Sequence, residues 1–537
     1  MPDIKIIFGS AGTGKTTYAY NHILKPMSDA EIADVVALSF TVAAKQALLE
    51  KEPRLKDHQV RTLHSIVYKE LNLTREELIT EEDIQEFMDT MGFRYNPENL
   101  SYEDDDFSEE AEGNILLRLW GKLHNEAPKY ERTLGKVNIG RFIEDNLSLV
   151  ELVGADTFKN FVIEYKKYQK QLGKFDYDSM LYEGYKEGVK IAGSILILDE
   201  AQDLSPLMTA ILDQNINNFD QVVILGDDDQ TIYTALNGAM AEYLLGKEGE
   251  KIILNKSWRL PKKVLQLAMQ YIRQNKNRVD KEIEPREEEG VLRFSAGIPV
   301  DLLMYEPEVP TFILARHRKR VAKIIRLLEM KEIPYRILGE KKDLKLNTKK
   351  GSVISALKFY SMVKNRALDE RVSVVMLANF LDMIGERLTH EIFGEPKETI
   401  TGNYVLDKTL GQLIQDYPKL ANIVKIPIAW LFAENTKDIS IRFINKWTRR
   451  MSKLSQWERP NLVVGTIHQA KGLEADRVIL DLSMNKKSYS DMSTEYERRV
   501  WFVGTTRARK ELILARPASP SALYNIELEA MAEKSIV

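Results

Sequence analysis

Short apolar runs alternate along this chain with longer stretches in which apolar positions recur at helical spacing. Residues 4–8, 35–40, 195–198 and 222–225 are almost continuously aliphatic or aromatic. Runs of that length without polar alternation predict strands buried on both faces, as in a parallel sheet covered by helices. A second set, residues 311–315, 462–466, 477–482 and 511–515, repeats the pattern. Two separate parallel sheets in an α/β fold are the simplest reading. Two long, mainly helical stretches, about residues 71–170 and 341–460, interrupt the sets. The first contains seven carboxylates between 103 and 112 with no Lys or Arg among them, which predicts a solvated loop or helix face. The second opens on Lys341, Lys342, Lys345, Lys349 and Lys350, an expected exposed boundary. No internal repeat or low-complexity tract is present.

Composition narrows the choices. A chain of 537 residues predicts about three or four domains. With no cysteine, disulfides, thiolate zinc sites, Cys-ligated iron–sulfur clusters and a cysteine nucleophile are excluded. The cysteine count fits a reducing, cytoplasmic setting. The 76 basic and 80 acidic residues leave a net charge of −4, so any nucleic-acid site must be a local groove. No apolar run reaches the ~20 residues of a membrane span, and the first residues lack the features of a signal peptide.

Three strand ends carry candidate chemistry. Gly9-Ser-Ala-Gly12-Thr-Gly14-Lys15-Thr16 matches G-x-x-x-x-G-K-[ST] between a strand and a helical pattern, the setting that motif requires. Glycines let backbone N–H groups curl around phosphate oxygens at a helix start. Lys15 can reach the β- and γ-phosphates, the Thr16 hydroxyl can hold Mg²⁺, and Thr17 continues the loop. The apolar run 195–198 ends in Asp199-Glu200-Ala-Gln-Asp203. Asp199 at that tip can bind Mg²⁺, and Glu200 can polarise an attacking water. Phosphoryl transfer depends on positioning and charge stabilisation, so metal, base and cations should converge on one site. The third cluster, Gly226-Asp-Asp-Asp-Gln230-Thr-Ile-Tyr233, offers Gln230 as a γ-phosphate sensor.

Together these motifs resemble superfamily 1 helicases of the UvrD/Rep/PcrA type. The C-terminal part agrees: Val464-Gly-Thr466-Ile-His468-Gln-Ala-Lys471-Gly-Leu-Glu474 resembles that family's motif V, and the stretch from Glu497 to Arg509 its motif VI. The resemblance implies two RecA-like domains, each with a mainly helical insertion: residues 1–76 with 166–258, insertion 77–165; residues 259–343 with 458–537, insertion 344–457. It implies ATP and Mg²⁺ between the RecA-like domains, single-stranded DNA and duplex junctions as partners, and 3′→5′ movement. By the same resemblance Lys15 and Thr16 take phosphate and metal, Asp199 the metal, Glu200 the base and Gln230 the sensor. Trp258 stands where the family stacks a tyrosine on adenine. Arg259 and Arg507 become γ-phosphate cations, and Glu474 lies near the ribose. Ser-Phe40-Thr41 resembles motif Ia, and Arg61-Thr62-Leu-His64-Ser65 the Thr-Phe-His stretch near the DNA backbone. With Tyr233, Thr466 and His468 these are the expected DNA contacts. Phe175-Asp-Tyr-Asp178 resembles a helix start that precedes motif II in the family.

The sequence also departs from the family. Only eight residues precede Gly9, so the adenine-reading glutamine motif is missing and looser nucleotide selectivity is expected, with Trp258 the main base contact. The aromatic that usually follows Tyr233 is missing from Thr-Ala-Leu-Asn-Gly238. The 344–457 insertion matches poorly; its Lys446, Trp447, Arg449, Arg450 and Lys453 could touch duplex DNA or a protein partner. The expected activity is an ATP-dependent DNA helicase or translocase. The alternative is a DNA-stimulated ATPase that remodels protein–DNA complexes without processive unwinding. A P-loop switch or kinase fits the second arginine-bearing region poorly, and no nuclease cluster is evident.

Overall fold

A computed structural model describes residues 2–38, 42–97, 110–239, 241–302, 306, 308–331, 333, 335–339, 347–348, 351–402, 408–426, 460–517, 519 and 521–536. The first set of apolar runs forms a six-stranded sheet. Its strands are β1 (Asp3–Gly9), β2 (Val35–Leu38), β3 (Val60–Arg61), β4 (Ile195–Leu198), β5 (Gln221–Gly226) and β6 (Glu250–Leu254), in the order β3-β2-β4-β5-β1-β6. All its pairs are parallel. The inner strands β4 and β5 are almost wholly buried, as strands covered on both faces must be. Leu38 pairs with Leu198, Leu198 with Ile224, and Phe8 with Gly226. This register brings the segments after β1, β4 and β5 to one edge. Ligand crevices of open α/β sheets form there, at the carboxyl ends of the strands.

The second set also forms a six-stranded sheet. Its strands are β7 (Val291–Ser295), β8 (Thr311–Ala315), β9 (Arg336–Ile337), β14 (Leu462–Thr466), β15 (Ala475–Asp481) and β16 (Ala508–Ala515), in the order β7-β16-β15-β8-β14-β9. Two small antiparallel ribbons lie between β9 and β14 in sequence: β10 (Asn347–Thr348) with β11 (Gly351–Ser352), and β12 (Arg371–Val372) with β13 (Lys408–Thr409). The two sheets make this an α/β protein with two RecA-like domains.

The chain divides into two compact units. One comprises residues 1–301, 314–320 and 466–537, the other residues 302–313 and 321–465. The first unit holds the first sheet and the helical stretch after β3. That stretch has its own aromatic core, in which Phe87, Trp120, Phe161 and Tyr165 pack at ring distances of 4.9–6.5 Å. Asp176 ties this core to the sheet domain. One carboxylate oxygen accepts from Trp120 Nε1 at 2.7 Å and Gln169 Nε2 at 2.8 Å. The other caps the helix Tyr177–Lys186 by accepting from Ser179 N at 2.7 Å. In the second unit the helices Val353–Lys364 and Val374–Phe393 run through the stretch expected to be helical, the latter kinked at Gly385.

Most of the acidic run lies outside the described residues, as do Lys341, Lys342, Lys345, Lys349, Lys350 and the 446–453 basic cluster. Glu110, at the end of the acidic run, departs from the solvated expectation. It is mostly buried in an ion pair with Arg118 at 2.5 Å, because a guanidinium on the helix Glu112–Asn125 faces it. Among the described residues no helix is long and apolar enough to cross a membrane.

Candidate nucleotide and DNA site

The loop between β1 and the helix Lys15–Ala19 turns twice through left-handed backbone, at Gly12 (φ 73°) and Gly14 (φ 80°). Glycine takes these angles without a Cβ penalty. Space demands it too. A Cβ on Gly9 would lie 2.4 Å from Thr13 Oγ1, and one on Gly12 would lie 2.2 Å from Arg259 Cβ. Thr13 Oγ1 donates to Ser10 O at 2.9 Å, and Lys15 Nζ donates to Gly9 O at 3.1 Å across the loop. Thr17 Oγ1 accepts from Lys51. The loop is docked from outside by residues 257–259: Ser257 Oγ donates to Ala11 O and Trp258 N to Gly12 O, both at 2.8 Å. That docking sets Arg259 and Trp258 beside the loop. Trp258 is 65% exposed, and a Cβ on Gly14 would come 3.8 Å from its indole Cδ1.

The acidic strand end lies next to the loop. Thr16 Oγ1 donates to Asp199 Oδ2 at 3.5 Å, and Asp199 Oδ1 accepts from Glu200 N at 3.0 Å. Burial, and then the neighbouring Glu200, push the Asp199 carboxyl up to about 6. Glu200 behaves oppositely. Burial works against its charge, but Lys15, Lys471 and the Gln202 amide hold its carboxyl below the usual range. Its backbone sits at φ 52°, a left-handed conformation that costs a non-glycine residue about 1–3 kcal/mol. Gln202, fully buried, donates to Glu200 Oε2 at 2.6 Å and accepts from Asp227 N at 2.9 Å.

Gln230 is held from both sides. Its amide donates to Asp227 Oδ2 at 2.6 Å, and its side-chain oxygen accepts from Arg507 at 3.2 Å. Arg507 is buried and also donates to the backbone oxygens of Val503 (2.8 Å) and Leu473 (3.2 Å). Burial, and then Arg259, pull its guanidinium down to about 9, which still leaves it charged at neutral pH. Arg259 pairs with Glu474 at 2.5 Å, and Glu474 with Arg509 at 3.3 Å. A cavity of about 1410 Å³ is lined by the phosphate loop, Asp199, Glu200, Gln230, Trp258, Arg259, Glu474 and Arg507. Of the residues expected at the nucleotide, all but Gly9, which lies at the end of β1 just before the loop, line this one cavity. The donor set of one hydroxyl and adjacent carboxylates suits a hard divalent cation, and the glycine cradle suits phosphate.

The residues expected at DNA are less closely grouped. Phe40 and Thr41 lie outside the described residues. Thr62 is exposed and caps the helix Leu63–Glu70 by accepting from Ser65 N at 3.2 Å. His64 lines the same cavity as the phosphate loop and meets Tyr177 edge-on at 6.1 Å. Burial pulls its imidazole down to about 4, so it is neutral at pH 7. Tyr233 lines the cavity too, 6.4 Å from the His468 ring. His468 is buried and meets Tyr496 Oη at 3.3 Å. Thr466 is buried at the end of β14, where its hydroxyl accepts from Gln469 N at 3.2 Å.

Lys471 stands inside the motif V match but is not among the expected site residues. Its ammonium grips Asp203 at 2.5 and 2.6 Å and the Gln230 backbone oxygen at 2.6 Å. It also lies 5.0 Å from the Tyr233 ring centre. It thus joins the Asp199–Asp203 segment to the Gln230–Tyr233 segment. Burial, opposed by Lys471, leaves the Asp203 carboxyl pushed up to about 6.

Comparisons with known proteins agree with this geometry. Residues 1–236 match the AAA domain family, and residues 461–515 match the UvrD-like helicase C-terminal domain. The chain is 24% identical over 449 residues to a probable DNA helicase II homolog of Mycoplasma capricolum subsp. capricolum, covering 66% of this chain and 61% of that protein. It is 22% identical over 313 residues to the ATP-dependent DNA helicase PcrA of Bacillus subtilis, covering 53% of this chain and 40% of PcrA. The chain thus spans about three-fifths of the first relative's length and two-fifths of the second's. Two RecA-like sheets, motifs in order from residue 9 to residue 509, and matches at both ends of that order make the chain similar to the UvrD/PcrA-type superfamily 1 helicases.

Proposed function

We propose that this chain is an ATP-dependent DNA helicase or translocase that moves 3′→5′ along single-stranded DNA in the cytoplasm. The observation that carries the reading is the convergence of Lys15, Asp199, Glu200, Gln230, Arg259 and Arg507 on one cavity. The phosphate loop and Lys15 bind the triphosphate, and Trp258 stacks on the base. Thr16 and Asp199 would hold Mg²⁺, which neutralises phosphate charge when bound. Glu200 is kept ionised, with Oε2 anchored by Gln202, so Oε1 takes the proton of the attacking water. Gln230, Arg259 and Arg507 stabilise the charge that develops on the transferred phosphoryl group, the main task in such reactions. Thr62, His64, Tyr233, Thr466 and His468, with Phe40 and Thr41, contact the DNA track. In this reading the RecA-like domains are residues 1–76 with 166–258 and 259–343 with 458–537. The 344–457 insertion meets duplex DNA or a protein partner.

The test measures ATP hydrolysis with and without single-stranded DNA, RNA and duplex DNA, alongside strand displacement on a 3′-tailed duplex. The expected result is hydrolysis stimulated by single-stranded DNA, with displacement. Stimulation without displacement would favour the remodelling ATPase. No stimulation by any polynucleotide would overturn the proposal.

A further inference from the structure

We propose that Lys281 is a positioning residue for ATP hydrolysis, fixing the orientation of Gln230 through the buried carboxylates that follow β5. The proposal rests on the reading above that this crevice hydrolyses ATP.

Asp227, Asp228, Asp229 and Lys281 are all completely buried. The three carboxylates lie close enough together to ligate one metal ion. A cation of the chain itself already stands among them. Lys281 Nζ is 2.9 Å from Asp227 Oδ1 and 2.9 Å from Asp229 Oδ2, and it also donates to Asp228. Arg278 adds a two-pronged grip on Asp229, with both bonds at 2.8 Å. Val279 N donates to Asp228 Oδ2 at 2.8 Å. Bidentate arginine–carboxylate pairs fix orientation as well as charge. Such buried charges are costly to strand, because removing one partner leaves the others uncompensated.

The cluster is not a closed structural knot. Asp227 gives Oδ1 to Lys281 and Oδ2 to the Gln230 amide. A rotated Asp227 would release that amide. Gln230 would then no longer present its oxygen to Arg507. The segment that carries Arg278 and Lys281 is itself fastened to the helix Glu495–Thr505, which leads directly into Arg507. Glu495 Oε1 accepts from Lys276 N (2.7 Å) and Asn277 N (3.0 Å), and Arg499 donates to Asn277 O at 2.8 Å. The contacts close a ring: Gln230, Asp227, Lys281, the 275–278 segment, the Arg507 helix, and Gln230 again. Sensor and arginine are thus referenced to one buried charge cluster rather than to each other alone.

Three changes test this. Lys281→Arg keeps the charge and moves the donors. Lys281→Met with Asp228→Asn removes one charge of each sign, so the cluster keeps its net charge. Gln230→Ala, made alone and added to that pair, closes a double-mutant cycle. ATP turnover is read as kcat and KM with saturating single-stranded DNA, and folding by circular dichroism. The expected result is a kcat at least about tenfold lower in the Lys281→Met, Asp228→Asn protein, with KM changed by no more than about threefold. Lys281→Arg should fall between that protein and wild type. Gln230→Ala should cost little more once Lys281 is gone, because coupled residues are non-additive. Unchanged kcat in the folded paired variant, or full additivity with Gln230→Ala, overturns the proposal. If the paired variant does not fold, Lys281→Arg decides: reduced kcat at unchanged KM supports the proposal, and wild-type kinetics overturns it. A wild-type protein without ATP hydrolysis overturns both this proposal and the reading of the site.

Discussion

Burial, with Asp176 close by, pushes the Asp178 carboxyl up to about 7. Its carboxylate accepts from the Asn125 amide at 2.7 Å, and its neighbour Asp176 has taken the capping and cross-linking duties. In the unfolded chain an aspartate ionises near ~3.9. Below that value both states are protonated and Asp178 costs nothing. As pH rises from about 4 to about 7 the native state keeps a proton that the unfolded state has lost, so its stabilising contribution fades, and it is gone above the folded value. Asp178→Asn should therefore stabilise the protein at pH 8 by about 1–2 kcal/mol and change little at pH 4. Its side-chain oxygen can still accept from Asn125. Denaturant midpoints of both proteins at pH 4, 6 and 8 check this. A difference independent of pH would mean that the carboxyl titrates normally.

At the scale of elements, the phosphate loop is defined as much by what packs against it as by its own glycines. Gly12 carries a left-handed φ, and its Cβ position is already filled by Arg259. Gly92, which ends the helix Glu81–Met91, has a similar φ of 75° but nothing within 4 Å. Gly12→Ala should lower the melting temperature and weaken nucleotide binding, because Arg259 and the 257–258 bonds must move. Gly92→Ala should cost only about 1 kcal/mol of backbone strain and leave nucleotide binding intact. Calorimetry of both variants with a nonhydrolysable ATP analogue separates the two effects; equal nucleotide affinities would show that the loop tolerates the shift. The same contrast explains what the sequence disclosed. β1, β4 and β5 are legible because central parallel strands must be apolar on both faces. β6, Glu250–Leu254, is an edge strand that mixes charged residues with aliphatics and stays partly exposed, and β3 has only two residues. Neither offers a run to recognise. The phosphate loop, Asp199, Glu200 and Gln230 were legible because each follows a strand within a short motif. Lys281 was not, since 54 residues separate it from Asp227 and only the fold brings them together.

For the whole molecule, the proposal that single-stranded DNA is the track asks how a chain of net charge −4 would hold a polyanion. Long-range attraction is weak in that case, and binding must come from local contacts whose counterions are released on association. The candidates for that surface are uneven in kind. Thr62 offers a hydroxyl at a helix start, Tyr233 offers a ring under the Lys471 ammonium, and His64 is neutral because it is buried. A neutral histidine can donate a hydrogen bond to phosphate but releases no counterion, so the salt response should be modest and almost independent of pH between 6 and 8. If about three to five phosphates are neutralised by lysines, arginines and backbone amides, log K for a single strand should fall against log salt with a slope of about −2 to −3.5. Titrating a fluorescent oligonucleotide across salt concentrations at pH 6 and pH 8 measures both quantities. A flat salt response would remove single-stranded DNA as the track. A slope that steepens strongly at pH 6 would mean that His64 binds phosphate in its charged form, against the desolvation that holds it neutral.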